Sequence, residues 1–281
     1  MADSEREVTR VPAGPDDFGA APTVVDRLLG PFRRGAAPEA RRATGFYTDT
    51  TVCIGCKACE VACKQWNQLP ADGFEWTGNS YDNTATLSAT TWRHVKFVEQ
   101  LPEREGPGGP TAGADGLDAG RWLMMSDVCK HCVAAPCQHA CPTGAIIHNE
   151  FDNVYIQPDI CNGCAYCIAA CPFGVITRST IDGHAHKCTL CFDRQRDGLV
   201  PACAKACPTA SIQFGPVDEL REQARRRVAD LHERGVTEAY LYGDVPGETY
   251  SELNSFYLLV DRPSVYGLPE VPVNPWLAMK G

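Results

Sequence analysis

The sequence has no apolar run long enough to cross a bilayer. Its longest candidate, residues 256–260, falls far short of the roughly 20 residues a membrane helix needs. No secretory leader is visible. Arg33 with Arg34 and Arg41 with Arg42 lack an apolar segment behind them and read as a solvated basic arm. No GxGxxG follows a strand and opens a helix, which removes a dinucleotide site. No Ser-His-Asp or paired-carboxylate constellation can be assembled, so nothing points to a catalytic residue. Positive charge is in deficit: 26 Lys and Arg stand against 35 Asp and Glu, a formal charge of −9. Such a surface disfavours nucleic acid and anionic lipid.

What the sequence does have is cysteine in order. All sixteen fall into four groups of four. Cys161, Cys164, Cys167 and Cys171 are spaced C-x2-C-x2-C-x3-C before Pro172, the bacterial ferredoxin run for a [4Fe–4S] cluster. Cys129, Cys132, Cys137 and Cys141, before Pro142, repeat it with two extra residues in the middle gap. Cys53, Cys56, Cys59 and Cys63 repeat it again, with Lys64 in place of Pro. Cys188, Cys191, Cys203 and Cys207 precede Pro208, and their middle gap has grown to the eleven residues 192–202. Zinc accepts four thiolates from C-x2-C pairs, but it leaves the third Cys, the x3 step and the Pro unexplained. A disulfide framework fits still less well. Thiolates committed to iron are incompatible with oxidative pairing, so assembly is expected in a reducing compartment.

In the ferredoxin run, three closely spaced thiolates hold one cubane and the fourth ligates the other cluster of the pair. Groups two and three then form an inner unit: Cys129, Cys132, Cys137 and Cys171 for cluster C, and Cys161, Cys164, Cys167 and Cys141 for cluster D. Groups one and four serve each other by the same rule. Cluster A takes Cys53, Cys56, Cys59 and Cys207, and cluster B takes Cys188, Cys191, Cys203 and Cys63. The expected fold is α+β: two nested bacterial 2[4Fe–4S] ferredoxin-like units with long insertions and irregular terminal extensions. The boundaries are an extended N-terminal arm at 1–43 and a double ferredoxin-like core at 44–215. Within that core the outer unit is 44–125 plus 180–215 and the inner unit is 126–179. A helix and a Pro-rich C-terminal docking extension occupy 216–281. Four cubanes, each with four thiolates, would bring the charge to roughly −17.

Local pattern adds the elements. Residues 45–52 read as a strand, residues 57–66 as a helix starting inside the first cysteine loop, and residues 91–98 and 121–125 as strands flanking a Gly/Pro-rich loop. Residues 145–147 and 154–156 form a hairpin, residues 173–177 a matching strand, and residues 211–214 another. Residues 217–234 are a helix, with Asp218 and Glu219 at its start and Arg225, Arg226, Arg227 and Arg234 towards its end. Leu220, Ala224, Val228 and Leu231 share one face; the Arg run reads as a docking patch or a solvated face. Residues 240–281, with five Pro and little periodicity, read as an irregular tail laid over another surface such as a partner subunit. His131, His139, His184 and His186 lie close enough in sequence to the cysteines to bond a sulfide, but a surface or packing place is the favoured reading for each. Tyr47, Trp66, Tyr155, Tyr166 and Phe173 read as packing that keeps water out. With sixteen Cys for sixteen ligand positions, no iron is left open to substrate, so the chain conducts electrons and is not itself an enzyme.

The order of the four groups, with the long gap in the last, resembles the iron–sulfur (β) subunits of molybdopterin oxidoreductases. The likeness is nearest to formate dehydrogenase β subunits. It is carried by Phe46, Tyr47, Thr48 and Asp49, by CIGCKACEVACKQWN at 53–67, by SDVCKHC at 126–132, by residues 155–164, and by Phe256, Tyr257, Leu258 and Leu259 with Tyr266, Gly267, Leu268 and Pro269. In nitrate reductase-type subunits one Cys is replaced by Trp; here Cys164 stands at that kind of position. The resemblance implies a catalytic α subunit with a molybdenum or tungsten bis-pterin site, where formate becomes CO2. It implies entry of electrons at cluster A, passage through B, and exit from the inner pair with D distal. Membrane-bound relatives end in a transmembrane helix and this sequence shows none. Any membrane anchor is therefore expected to be a separate cytochrome b or polysulfide-reductase-type subunit. The location expected is cytoplasmic, or membrane-associated through a partner, with export alongside a twin-arginine partner left open. The same relay in another molybdopterin oxidoreductase or a hydrogenase, or a free-standing polyferredoxin, are the alternative readings.

Overall fold

The computed structural model describes residues 42–73, 76, 78, 82–100, 120–246 and 251–274. The expected arm at 1–43, all but its last two residues, and most of the Gly/Pro-rich loop lie outside them.

Among the described residues helices and strands are mixed, and the strands form four small sheets. Strand β1 (Thr44–Asp49) ends where the Asp49 side chain accepts from Thr51 N at 2.9 Å, turning the chain into a short 3-10 turn and the first cysteine loop. Helix α1 (Ala58–Asn67) follows. Strands β2 (Arg93–Gln100) and β3 (Arg121–Val128) pair antiparallel along their whole length, Val95 opposite Ser126. The second loop leads through α2 (Pro136–His139) to the hairpin β4 (Ile146–His148) and β5 (Val154–Ile156). The third leads through α3 (Tyr166–Ala170) to β6 (Thr177–Arg178) and β7 (Ala185–His186). The fourth holds α4 (Phe192–Arg196) and α5 (Ala202–Lys205). Strand β8 (Ile212–Pro216), helix α6 (Val217–Glu233), β9 (Tyr240–Tyr242) and β10 (Ser255–Leu259) complete the order.

Two local expectations need correction. The strand expected at 173–177 is mostly a turn: only Thr177 and Arg178 pair, with Ala185 and His186, because the chain must first reverse after Cys171. The irregular tail contains β10, the most buried strand of the molecule. It runs parallel to β1, with Phe46 opposite Ser255, inside the sheet order β8-β1-β10-β9. Phe256 and Leu258 face α6, together with Tyr47, Val217, Leu220, Ala224 and Leu231. Tyr257 and Leu259 face the β2–β3 ribbon with Leu123 and Met125. A strand covered on both faces has no reason to alternate, so its sequence carries no period-2 signal.

Helix α6 has the expected apolar face, with Leu220, Ala224 and Leu231 buried and Val228 packed at the edge. Three of its arginines are tied to neighbouring acids. Arg227 bonds Asp49 at 2.9 Å, Arg226 reaches Glu222 and Arg225 reaches Asp244. The third core gathers the cysteines with Phe46, Val95, Val128, Ile146, Val154, Val175 and Ile176.

Candidate metal centres

Each of the four cysteine loops opens with the same backbone device. In every C-x-x-C the third residue is left-handed: Gly55 (φ 65°), His131 (φ 43°), Gly163 (φ 71°) and Leu190 (φ 55°). Successive turns of this kind point backbone N–H groups into a concavity that suits negative charge, a known feature of iron–sulfur sites. Glycine takes this conformation freely. His131 and Leu190 hold it at a cost of about 1–2 kcal/mol each. Lys57 and Ala165, after the second Cys of groups one and three, are left-handed too and start α1 and α3.

The loops close around hollows. Cys53, Cys56, Cys59 and Cys207 line one, with Ser126 and Ser211 on its wall. Cys129, Cys132, Cys137 and Cys171 line a second, walled by Val154, Phe173 and Ile176. Cys141, Cys161, Cys164 and Cys167 line a third. Four cysteines apiece suit the same kind of guest in each. Cys63, Cys188, Cys191 and Cys203 are mutual neighbours in a fourth set. Among the described residues no three Cys, His, Asp or Glu draw together tightly enough for a single ion. Zinc needs sulfur at about 2.3 Å; four thiols spread around a hollow suit a polynuclear group.

Burial dominates the chemistry of these thiols and pushes most of them up, with neighbouring thiols adding to it. Cys59, Cys167 and Cys191 reach about 11, and Cys137 and Cys188 about 12. Cys63 and Cys132 rise well above the ordinary thiol range. Cys141 goes the other way: against desolvation, Thr143 and the backbone N–H groups of Ile146, Thr143 and Ala145 hold it down. Thiolates crowded this closely require positive charge among them, which iron supplies on binding. The donor set fits the group.

Polar contacts reach the sulfurs from several sides. Ser126 Oγ lies 3.3 Å from Cys59 Sγ, and Asn67 Nδ2 lies 3.6 Å from Cys63 Sγ. Ala185 N donates to Cys161 Sγ at 3.5 Å and Leu190 N to Cys188 Sγ at 3.3 Å.

Two family profiles, each described as a 4Fe-4S dicluster domain, match residues 52–145 and 120–217, overlapping at the group-two cysteines. The formate dehydrogenase iron-sulfur subunit of Haemophilus influenzae is 40% identical over 226 residues, 80% of this chain and 68% of its own length. The nitrate-inducible formate dehydrogenase iron-sulfur subunit of Escherichia coli is 41% identical over 228 residues, 80% of this chain and 71% of its own. This polypeptide belongs to the family of formate dehydrogenase iron–sulfur subunits. The B subunit of the anaerobic dimethyl sulfoxide reductase of Escherichia coli is a more distant relative, 32% identical over 184 residues, 64% of this chain and 76% of its own. The sixteen cysteines and the two dicluster matches of this formate dehydrogenase-type subunit fit four [4Fe–4S] clusters.

The other residues singled out in the sequence take varied places in this iron–sulfur subunit. His131 is fully buried, and neither ring nitrogen has a partner among the described residues. Burial, then Lys187 and His148, hold its pKa well below the usual value. His186 bonds Asp182 at 2.8 Å and stacks on Trp92; His139 is exposed. Tyr47 stacks on Phe256 and Phe173 walls the second hollow. Trp66 and Tyr166 are exposed rather than packed, Trp66 lying under Arg194 with Nε1 on Asp193. Sequence reasoning passed over the buried cations. Lys130 is held by Asp127, and Lys187 by the carbonyls of Val154 and Cys188. Arg93 is buried beside Ser126. Arg93 stands in a strand and Lys130 and Lys187 in loops, where a basic residue defaults to solvent on pattern alone, so only proximity to the cysteines could have revealed these.

Proposed function

We propose that this chain is the electron-relay subunit of a formate dehydrogenase complex, non-catalytic itself. Cys53, Cys56, Cys59 and Cys207 hold cluster A; Cys188, Cys191, Cys203 and Cys63 hold B; Cys129, Cys132, Cys137 and Cys171 hold C; Cys161, Cys164, Cys167 and Cys141 hold D. The inner unit, 126–179, is thus inserted within an outer one formed by 44–125 and 180–215. When bound, the four [4Fe–4S] clusters supply one-electron carriers whose potentials follow burial, charge and hydrogen bonding to sulfur. The chain's own residues space these carriers, exclude water and set the field around them.

The observation that carries this reading is the continuous succession of thiol sets. Cys59 of A senses the charge of Cys203 of B, Cys188 of B that of Cys129 of C, and Cys137 of C that of Cys167 of D. Cys56 and Cys164 are the exposed cysteines, and they belong to A and D, the two ends of the row. Exposed apolar side chains lie near both ends: Ile54 and Val61 by A, Ile160 and Tyr166 by D. Such ends suit docking of a donor and an acceptor.

The donor is a catalytic α subunit with a molybdenum or tungsten bis-pterin site, where formate becomes CO2. The acceptor is a downstream subunit or carrier, such as a membrane cytochrome b or a polysulfide-reductase-type anchor. No helix among the described residues is long and apolar enough to cross a membrane. Native mass spectrometry of the complex with metal analysis tests the reading. The expected result is a larger Mo- or W-containing partner that oxidises formate, and roughly sixteen irons on this chain. A lone monomer near 30.5 kDa would point to a free polyferredoxin, and a partner with a different substrate to another oxidoreductase of the group.

A further inference from the structure

Arg93 is 1% exposed, among the largest fully buried side chains of the molecule. It projects from β2 into the space between the cysteines of A and B. One end is held: Nη1 donates to Ser126 Oγ at 3.0 Å, and that oxygen lies 3.3 Å from Cys59 Sγ. The guanidinium carbon sits 4.7 Å from the centre of the Phe46 ring. The other end is not held. Nε and Nη2 are buried without a hydrogen-bond partner among the described residues, and no carboxylate there pairs with the charge. Lys130, by contrast, has Asp127.

A buried cation without an anion is strongly unfavourable. An arginine does not escape by losing its proton. After burial, the groups that act on it most strongly are the sulfurs of Cys203, Cys59 and Cys188. All three favour the charged guanidinium against the penalty of burial. Arg93 therefore lies within electrostatic reach of one ligand of A, Cys59, and two of B, Cys188 and Cys203.

We propose that Arg93 is the shared counter-ion of clusters A and B, donating from Nε and Nη2 towards their sulfurs and raising both reduction potentials together. This rests on the ligand assignment above. The physical cause is simple. Reduction adds negative charge, and a fixed cation with N–H donors aimed at sulfur stabilises the reduced form more than the oxidised one. Because one charge serves two clusters, both potentials rise together, so each accepts an electron more readily and the A-to-B step stays near level.

The test is potentiometry followed by electron paramagnetic resonance on the intact anaerobic complex. Arg93→Gln should lower the midpoints of A and B by at least a tenfold change in equilibrium constant, about 59 mV for one electron, while C and D hold. Arg93→Lys should restore part of the shift. Midpoints of A and B unchanged in a Gln variant that keeps its iron, or all four moving alike, overturn the proposal. A second measurement needs no variant to fold: in wild-type protein carrying 15N-arginine, reduced cluster A should show a 15N hyperfine coupling, and its absence also overturns the proposal. Failure of the ligand assignment would appear separately, as too few irons in the wild type or as loss of the wrong cluster in Cys207→Ser. Failure of the role of Arg93 leaves both of those intact.

Discussion

Cys53 and Cys207 line one hollow although most of the described residues lie between them. Antiparallel pairing of β1 with β8, Phe46 opposite Phe214, brings the two loops together. Replacing Cys207 by Ser should therefore remove cluster A, and replacing Cys63 by Ser should remove B. Each should take iron from roughly sixteen to roughly twelve per chain. Metal analysis with resonance spectra of the reduced variants checks this. Loss of B in the Cys207 variant would reverse the assignment.

Gly163 cannot carry a side chain. Its φ is +71°, and a Cβ there would stand 2.2 Å from the backbone oxygen of Gly183. Backbone cannot swing aside as a side chain can. Gly163→Ala should cost more than the about 1–2 kcal/mol of left-handed strain alone, by forcing the 161–167 loop away from the β6–β7 turn. The expected readout is selective loss or instability of cluster D with A retained. Gly144, also left-handed but with nothing near its Cβ, is the matched control.

Leu258 is fully buried between β10 and α6. Leu258→Ala should destabilise the fold by about 2–5 kcal/mol, visible as a lower melting temperature in the anaerobic protein. Truncation before β10 should prevent the sheet from forming, since β1 would lose its parallel neighbour. A truncated protein that melts like the full one would remove β10 from the core.

Arg227 anchors α6 to the sheet by its 2.9 Å bond to Asp49, whose side chain is 4% exposed. Arg227→Ala should leave that carboxylate half-satisfied by Thr51 alone, at about 1–3 kcal/mol, less than for a fully buried pair because Arg227 is partly exposed. Arg226→Ala, which breaks only an exposed pair with Glu222, should change stability by less than about 1 kcal/mol. Thermal melts of the two variants compare them directly.

Most of the site was legible in one dimension because ligand spacing is a local property. A C-x2-C loop curls by its own dihedrals, so Cys53, Cys129, Cys161 and Cys188 announce themselves wherever they occur. Helix α6 was legible for a similar reason: one face is buried and one is wet, and the period shows. Strand β10 was missed because both of its faces are covered. The strand at 173–177 was overextended because β-branched residues say nothing about where a reversal must fall.

The sequence by itself determined the chemistry: sixteen thiols in four repeated loops. Tertiary structure decided what those thiols share. Parallel pairing of β1 with β10, the gathering of distant cysteines around shared hollows, and the burial of Arg93 beside Ser126 all join residues far apart in the sequence. Charge and packing act through space at a few ångströms, and no pattern read along the sequence records which distant side chains will meet there.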